Sequence, residues 1–492
     1  MPTRHLSLSS TTSEEVRSAL AALRAEIGLP AMFPPAVLDE ARAAAQREIT
    51  RDRQDRRDVE FVTIDPPGSM DLDQAVHVAS SGDGYIVRYA IADLAAFVTP
   101  GSPLDLEVNR RGTTVYGPDT RTPLHPPVLS EGAASLLPDE DRPAALWTIG
   151  LDAHGEMTSA SVVRALVRSR ARLTYGEVQS ALDAGTAPES LQLLADVGRL
   201  REERERDRGG VSLDVPEQEV GEHDGRFSLA FRRTLPVEGW NAQISLLTGI
   251  AAARMMREAG VGIFRTLPPA DPRDLARLHR TATALGIEWP DDEPYAALLG
   301  HLESRKPAHA AFLNEATTLF RGADYVAFGV PGDDGTTVRL PAPGEDSLVR
   351  HSAIAAEYAH VTAPLRRLVD RYGTEVCLAH SAGRDVPRWV ADALPRLPRT
   401  MASTGHTAAS FERSCVDIVE AALLQGRVGQ QFDGVVVEVE DHHGKPTNRG
   451  EVVLRDPAVR ARVDGDDLPL GRRAKVTLAE ASIPGRSVRF TL

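Results

Sequence analysis

The stretch Asp65-Pro-Pro-Gly-Ser-Met-Asp71-Leu-Asp73-Gln74 constrains this chain more than any other. It places three carboxylates within nine residues, with a Pro-Pro-Gly-Ser turn between the first two. Phe61 to Ile64 before it reads as a buried strand, and Ala75 to Val78 after it as the start of another. Acids crowded between apolar strands repel one another and lose hydration, so a cation is needed to offset them. Hard divalent cations take oxygen ligands of this kind, and paired magnesium ions are a recurrent means of hydrolysing phosphodiesters. The plainer alternative is a solvated acidic turn, because Pro, Gly, Ser and Asp also form turns.

The rest of the chain narrows the class. At 492 residues it has room for two to four domains, and 42% hydrophobic with 26% charged residues is ordinary globular composition. Only Cys377 and Cys415 occur, which excludes a disulfide framework and a cysteine-based zinc site. Met-Pro-Thr-Arg-His at the start gives no expectation of a secretory peptide, and no apolar run reaches membrane-spanning length. The net charge of −14 excludes a globally basic nucleic-acid binder, but not a locally positive channel.

Three units are expected. Residues 1–57 read as a small helical domain, with a helix-turn-helix as one arrangement. Thr12-Ser13-Glu14-Glu15 resembles a capping box, Val16, Leu20, Leu23 and Ile27 follow at helical spacing, and Gly28 with Pro30 ends the run. A second helix should start near Pro35. A hairpin docked on the next domain, with no RNA role, is an equal alternative. Residues 58–425 place strands first, such as Tyr85 to Ile91, and helices later, at Ile244 to Met256, Asp271 to Leu285 and Ile354 to Leu378. That order is an α+β layout. The alternating charges from Arg199 to Arg208 read as a solvated helix face. Residues 426–492 carry short strand-like runs between Gly, Asp and Pro turns, which suits a five-stranded OB-fold barrel that binds RNA. Phe432 and Phe490 are its only aromatics, so phosphate contacts should dominate over stacking there.

Further blocks follow the acidic stretch in order: Ile91-Ala-Asp93, Arg111-Gly-Thr-Thr-Val-Tyr116, Leu129-Ser130, Ser135-Leu136 and Asp141-Arg142-Pro143. Ala171-Arg-Leu-Thr-Tyr175 and Tyr358-Ala-His-Val-Thr-Ala-Pro364-Leu-Arg366-Arg367 come later. Together they resemble the catalytic RNB domain of the ribonuclease II family, over roughly residues 58–425. The resemblance implies a processive 3′-to-5′ exoribonuclease that hydrolyses single-stranded RNA to nucleoside 5′-monophosphates. It also implies Mg2+, with Mn2+ equally suited to oxygen ligands, and a cytoplasmic monomer. Nothing in the first 57 residues looks like the paired cold-shock domains usual in bacterial members.

Residue by residue, the resemblance sets Asp65, Asp71 and Asp73 at the family's metal-binding acids, with Asp73 the most essential. Gln74 stands where a fourth acid is usual and is expected as a metal ligand through its amide oxygen, which adds no charge. Arg366 matches the arginine that contacts the scissile phosphate, a task suited to a permanently charged, fork-shaped donor. Its alternative role is a salt bridge to Asp370, and Arg367 and Arg371 are expected on the surface or in the channel. Tyr175 matches a tyrosine near the terminal nucleotide and is grouped with Asp73 and Arg366 as catalytic. Tyr116 matches an aromatic that clamps stacked bases. Leu213 stands where the opposing clamp phenylalanine is usual, with Phe227 as a substitute. Gln243 stands where paired glutamates are usual. His125, His360 and His442-His443 read as structural or surface residues. Gln74 and the missing glutamates motivate a competing class, a non-catalytic RNA-binding protein. A metal phosphodiesterase acting on DNA or small nucleotides is a third.

Overall fold

The computed structural model describes residues 10–213, 217–223, 226–232, 234–290, 292–303, 306–332, 335–342, 349–442, 445–454 and 456–492. The chain opens with helices α1 (Ser10–Ile27) and α2 (Pro35–Ala45). Gly28 ends the first and Pro35 opens the second, as expected. The described helix already runs at Ser10, so Thr12 lies inside it rather than at its cap. The two helices do not make a domain of their own. Val16, Leu20 and Leu23 of α1 are buried with Phe411 and Ile418 in the core that reaches the C-terminal barrel. Val37, Ala41 and Ala44 of α2 are buried in the core of the following region instead. Each helix is amphipathic, and each finds a larger apolar surface to cover than its partner's.

The region after α2 is built on a sheet that curls on itself. Its strands are β1 (Gln54–Asp55), β2 (Phe61–Asp65), β3 (Gln74–Ser81) and β4 (Gly84–Ala92). After helix α3 (Pro103–Arg111) and the small hairpin β5 (Val115–Tyr116) and β6 (Arg121–Thr122) come β7 (Asp141–Leu151) and β8 (Met157–Thr174). The order is β1-β8-β2-β3-β4-β7, and β7 pairs with β8 again. The first part of β8 runs antiparallel to β7, and its last part runs parallel to β2. Phe61, Tyr89 and Trp147 fill the interior.

Helices α4 (Tyr175–Asp183), α5 (Glu189–Asp207) and α6 (Pro236–Ala259) follow, with hairpin β9 (Glu217–His223) and β10 (Arg226–Arg232) between the last two. The charged face of α5 is not wholly solvated. Arg201 and Glu205 are buried, and Arg201 donates to the Gly155 carbonyl at 2.7 Å. Strands β11 (Gly262–Thr266) and β12 (Asp324–Phe328) pair across an insert of helices α7 (Pro272–Leu285), α8 (Tyr295–His301) and α9 (Pro307–Ala316). Then come α10 (Leu368–Ser381), α11 (Arg388–Ala393) and the long α12 (Leu397–Leu424).

The helix expected from Ile354 begins only at Leu368. Residues 354–367 instead turn and lie extended beside the acidic loop. Pro364 disfavours helix at Ala363, and the free backbone amides this leaves are used by Asp370 and Asp73.

The tail is a closed five-stranded barrel of β13 (Gln431–His442), β14 (Lys445–Leu454), β15 (Arg460–Asp464), β16 (Arg473–Ser482) and β17 (Ser487–Thr491). Val436, Val452, Val463, Val476 and Phe490 fill it. Cys377 and Cys415 are buried free thiols. Among the described residues, no helix is long and apolar enough to cross a membrane.

Candidate active site

The acidic loop is held in place by turn chemistry and one serine. Pro67 and Gly68 occupy the centre of a turn closed by Ser69 N–H donating to the Pro66 carbonyl at 3.2 Å. Gly68 has φ +82°, a conformation that suits glycine at this position of a type II turn. Ser135 then ties the loop down: its hydroxyl donates to the Met70 carbonyl at 2.7 Å and accepts from Leu72 N–H at 3.0 Å. Leu72 is fully buried, so the acids on either side of it are fixed.

Five side chains meet around this loop. Asp65 ends β2, directly in register with Thr174, so it lies beside Tyr175 at the start of α4. Burial pushes the Asp65 carboxyl up to about 6, opposed by Arg366. Among the described residues it pairs with no cation. Asp73 is buried and accepts from Leu365 N–H at 2.7 Å. Arg366 Nε stands 3.5 Å from its other oxygen, and half of the Arg366 side chain is open to solvent. Burial pushes Asp73 up to about 8, again against Arg366. The Tyr175 hydroxyl lies near Asn241 of α6. Tyr116 is exposed on its hairpin, with its hydroxyl 3.3 Å from Asp71.

Other expected residues lie elsewhere or have other partners. Gln74 donates from Nε2 to the Thr362 carbonyl at 2.6 Å and accepts at Oε1 from the buried Tyr89 hydroxyl at 2.6 Å. Its amide therefore works as an internal brace. Gln243 is buried and donates to Glu205 at 2.5 Å, linking α6 to α5 rather than facing the acids. Leu213 packs on the helical insert's own core. Phe227 is fully buried near α1 and cannot act as a clamp from there. The partner of Asp370 is Arg367, at 2.9 Å, not Arg366. Arg371 is likewise internal, bound to Asp105 at 2.6 Å, so neither neighbour of Arg366 lines a channel. Buried His125 rests on the Leu365 carbonyl, and burial lowers its pKa to about 4.

Sequence reasoning missed Arg121, which donates to Asp71 at 2.7 Å and pairs with Glu131 at 2.6 Å. It sits five residues beyond Tyr116 on the same hairpin, and that spacing was the available signal. Among the described residues, no three His, Cys, Asp or Glu side chains converge on one point. The donor chemistry nonetheless fits a divalent cation at Asp65 and the second oxygen of Asp73. Asp73 is buried and Asp65 partly so, their burial is only partly offset by Arg366, and both supply the hard oxygen that such an ion takes. Asp71 would first have to leave Arg121, and Gln74 does not fit, because both ends of its amide are engaged.

The RNB domain family matches residues 53–375. This chain belongs to the RNB family. The RNase II-type exonuclease C-terminal S1 domain matches residues 430–492, covering the barrel of this RNB protein. Ribonuclease R of Chlamydia trachomatis is 26% identical over 423 residues, covering 83% of this chain and 58% of that protein. Ribonuclease R of Escherichia coli is 26% identical over 443 residues, covering 84% of this chain and 52% of that protein. The chain thus spans little more than half the length of these relatives. The apo form of Mycoplasma genitalium RNase R shares the fold with a TM-score of 0.83 at 19% identity, covering 97% of this chain and 78% of its own. Yeast Ssd1, described as a pseudonuclease, superposes with a TM-score of 0.67 at 14% identity, covering 87% of this chain and 52% of its own.

Proposed function

We propose that this chain is a metal-assisted 3′-to-5′ exoribonuclease that releases nucleoside 5′-monophosphates from single-stranded RNA. The observation that carries the reading is the pair of shielded acids, Asp65 and Asp73, whose burial the half-exposed Arg366 facing them only partly offsets. A solved RNase R of Mycoplasma genitalium in complex with single-stranded RNA supports the choice of substrate.

The 3′-terminal nucleotide enters beside Tyr116, whose exposed ring offers a stacking face to any base. Tyr175, near Asn241 and beside Asp65, borders the terminal sugar. Arg366 donates to the scissile phosphate and stabilises the negative charge that grows on it. Asp65 and Asp73 orient the attacking water. Its oxygen bonds to phosphorus and gives up a proton to solvent, the bond from phosphorus to the 3′ oxygen breaks, and that oxygen takes a proton from solvent to become the new 3′ hydroxyl. A magnesium or manganese ion held by Asp65 and Asp73 would supply Lewis-acid polarisation of the phosphate. The barrel holds RNA upstream through phosphate contacts. The protein works in RNA decay in the cytoplasm as a monomer.

The test uses a 5′-labelled single-stranded oligoribonucleotide with magnesium, beside DNA of matched sequence. A ladder shortening from the 3′ end of RNA alone, with 5′-monophosphates released, is the expected result. RNA left at full length would reject the proposal. One observation favours a silent RNA-binding protein instead: Gln74 and Asp71 are already engaged within the fold. RNA bound but never shortened would support that reading.

A further inference from the structure

The first helix reaches the candidate site through an ion pair and a shared apolar core. Hairpin β5–β6 has two residues per strand, too few to hold its own shape in water. Three sets of contacts fix it. At its base, Thr114 N–H and the Thr113 hydroxyl both donate to the Arg366 carbonyl at 3.0 Å. On one side, Arg121 and Tyr116 reach Asp71. At its tip, Asp119 receives Arg24 of α1 in a two-pronged pair, one prong at 3.1 Å. Both side chains of that pair are largely shielded from solvent.

The tip is shaped to receive this arginine. Gly117 N–H donates to the Thr120 carbonyl at 3.0 Å. A side chain at Gly117 would meet Arg24 Nη2 at 2.9 Å and the Phe411 ring at 3.2 Å. The Arg24 guanidinium also lies 5.5 Å from the Phe411 ring centre. Val115 of the hairpin shares a core with Val16, Leu20 and Leu23 of α1. Two residues beyond Arg24, Glu26 pairs with Arg486 of the barrel.

We infer that Arg24 is a positioning residue for the substrate hairpin, and that α1 works as a brace for the site rather than as a separate binding module. Through Asp119, the helix fixes where Tyr116 stands relative to Asp71 and Arg366. Through Glu26, it joins that placement to the barrel. The bidentate geometry confers direction as well as attraction, which a single point charge would not. The consequence for RNA rests on the hydrolase reading, whereas the mechanical coupling does not.

The test compares wild type with Arg24→Gln, Asp119→Ala and the swap Arg24→Asp with Asp119→Arg. Amide hydrogen exchange over residues 115–122, melting temperature, and KM and kcat on labelled single-stranded RNA are read for each. Each single variant should speed exchange in the hairpin and raise KM about tenfold, the scale of one lost base stack. Melting temperature should hold, and kcat should change little, because Arg121 and Asp71 still anchor the second strand. The swap should recover slow exchange and low KM. Unchanged hairpin exchange in the single variants would overturn the inference, as would a folded swap that recovers nothing. If wild type leaves RNA intact, the hydrolase proposal fails by itself, and exchange still decides the coupling.

Discussion

Asp73 and Asp93 are both buried carboxylates, and Ala92 N–H donates to the Asp73 carbonyl, so they sit on adjoining strands. Their surroundings differ. Burial raises the proton affinity of Asp93, but Arg164 and Arg53 outweigh it and hold the carboxyl below its usual range. Asp73 has one backbone amide and a half-exposed arginine, and burial wins. Asp370 likewise has Arg367, and Glu107 has Arg110 and Arg111. Paired arginines hold these three acids. Asp65 has no such close pair among the described residues, and Asp73 has only Arg366, at the spot where that arginine opens to solvent. Strain of this kind is characteristic of a site that expects a ligand.

The largest test of that contrast is Asp93→Ala. It would leave buried Arg53 facing no carboxylate and Arg164 with Glu375 as its one remaining acid, and should cost about 3–5 kcal/mol in urea unfolding. Asp65→Asn should instead leave stability within about 1 kcal/mol of wild type, or raise it. Equal losses in both would erase the contrast.

Glu420 offers an intermediate case. It is buried where α12 meets the barrel, and one oxygen accepts from Gln218 at 2.6 Å and from Arg460 N–H at 2.7 Å. Burial raises its carboxyl to about 8 from an unfolded value of 4.5. The folded protein therefore keeps a proton that the unfolded chain has released, and stability falls as pH rises through that window. Wild type should lose about 3–4 kcal/mol between pH 5 and pH 8 from this group. Glu420→Gln keeps both acceptor contacts and should flatten the slope. An unchanged slope in chemical unfolding across that range would show that Glu420 is ionised in the folded state.

Adding magnesium should raise the melting point of wild type, by about 1–3 kcal/mol of stability at saturation, and do so far less in Asp65→Asn. A shift equal in both would place the ion elsewhere. The smallest expected effect is in Arg121→Gln. The pair with Asp71 is partly exposed, so stability should change by less than about 1 kcal/mol, while Asp71 becomes free to ligate. Isothermal titration should then show tighter magnesium binding, and weaker binding would mean that Arg121 supports the ion.

Local pattern made much of this molecule legible. The strands flanking the acidic stretch, the start of α2 at Pro35 and the closed barrel all follow from periodicity and turn residues. The acids and Arg366 were legible because their neighbours form recognisable blocks. What remained hidden was long-range. Whether α1 and α2 pack together depends on which larger apolar surface each can reach, and no spacing encodes that. The helix expected from Ile354 is overridden because Asp73 and Asp370 take the amides at Leu365 and Ala363. Gln74, Gln243 and Leu213 face inward because of partners distant in sequence: Thr362, Glu205 and the helical insert.

The most direct test of the central claim is single-turnover cleavage of a 3′-exposed oligoribonucleotide by wild type and Asp73→Asn, with RNA binding measured in parallel. Removing the carboxylate charge should leave binding within a few-fold and slow cleavage at least about a thousandfold, the scale lost when a key charge-stabilising group is removed. Full hydrolysis by Asp73→Asn would contradict the account.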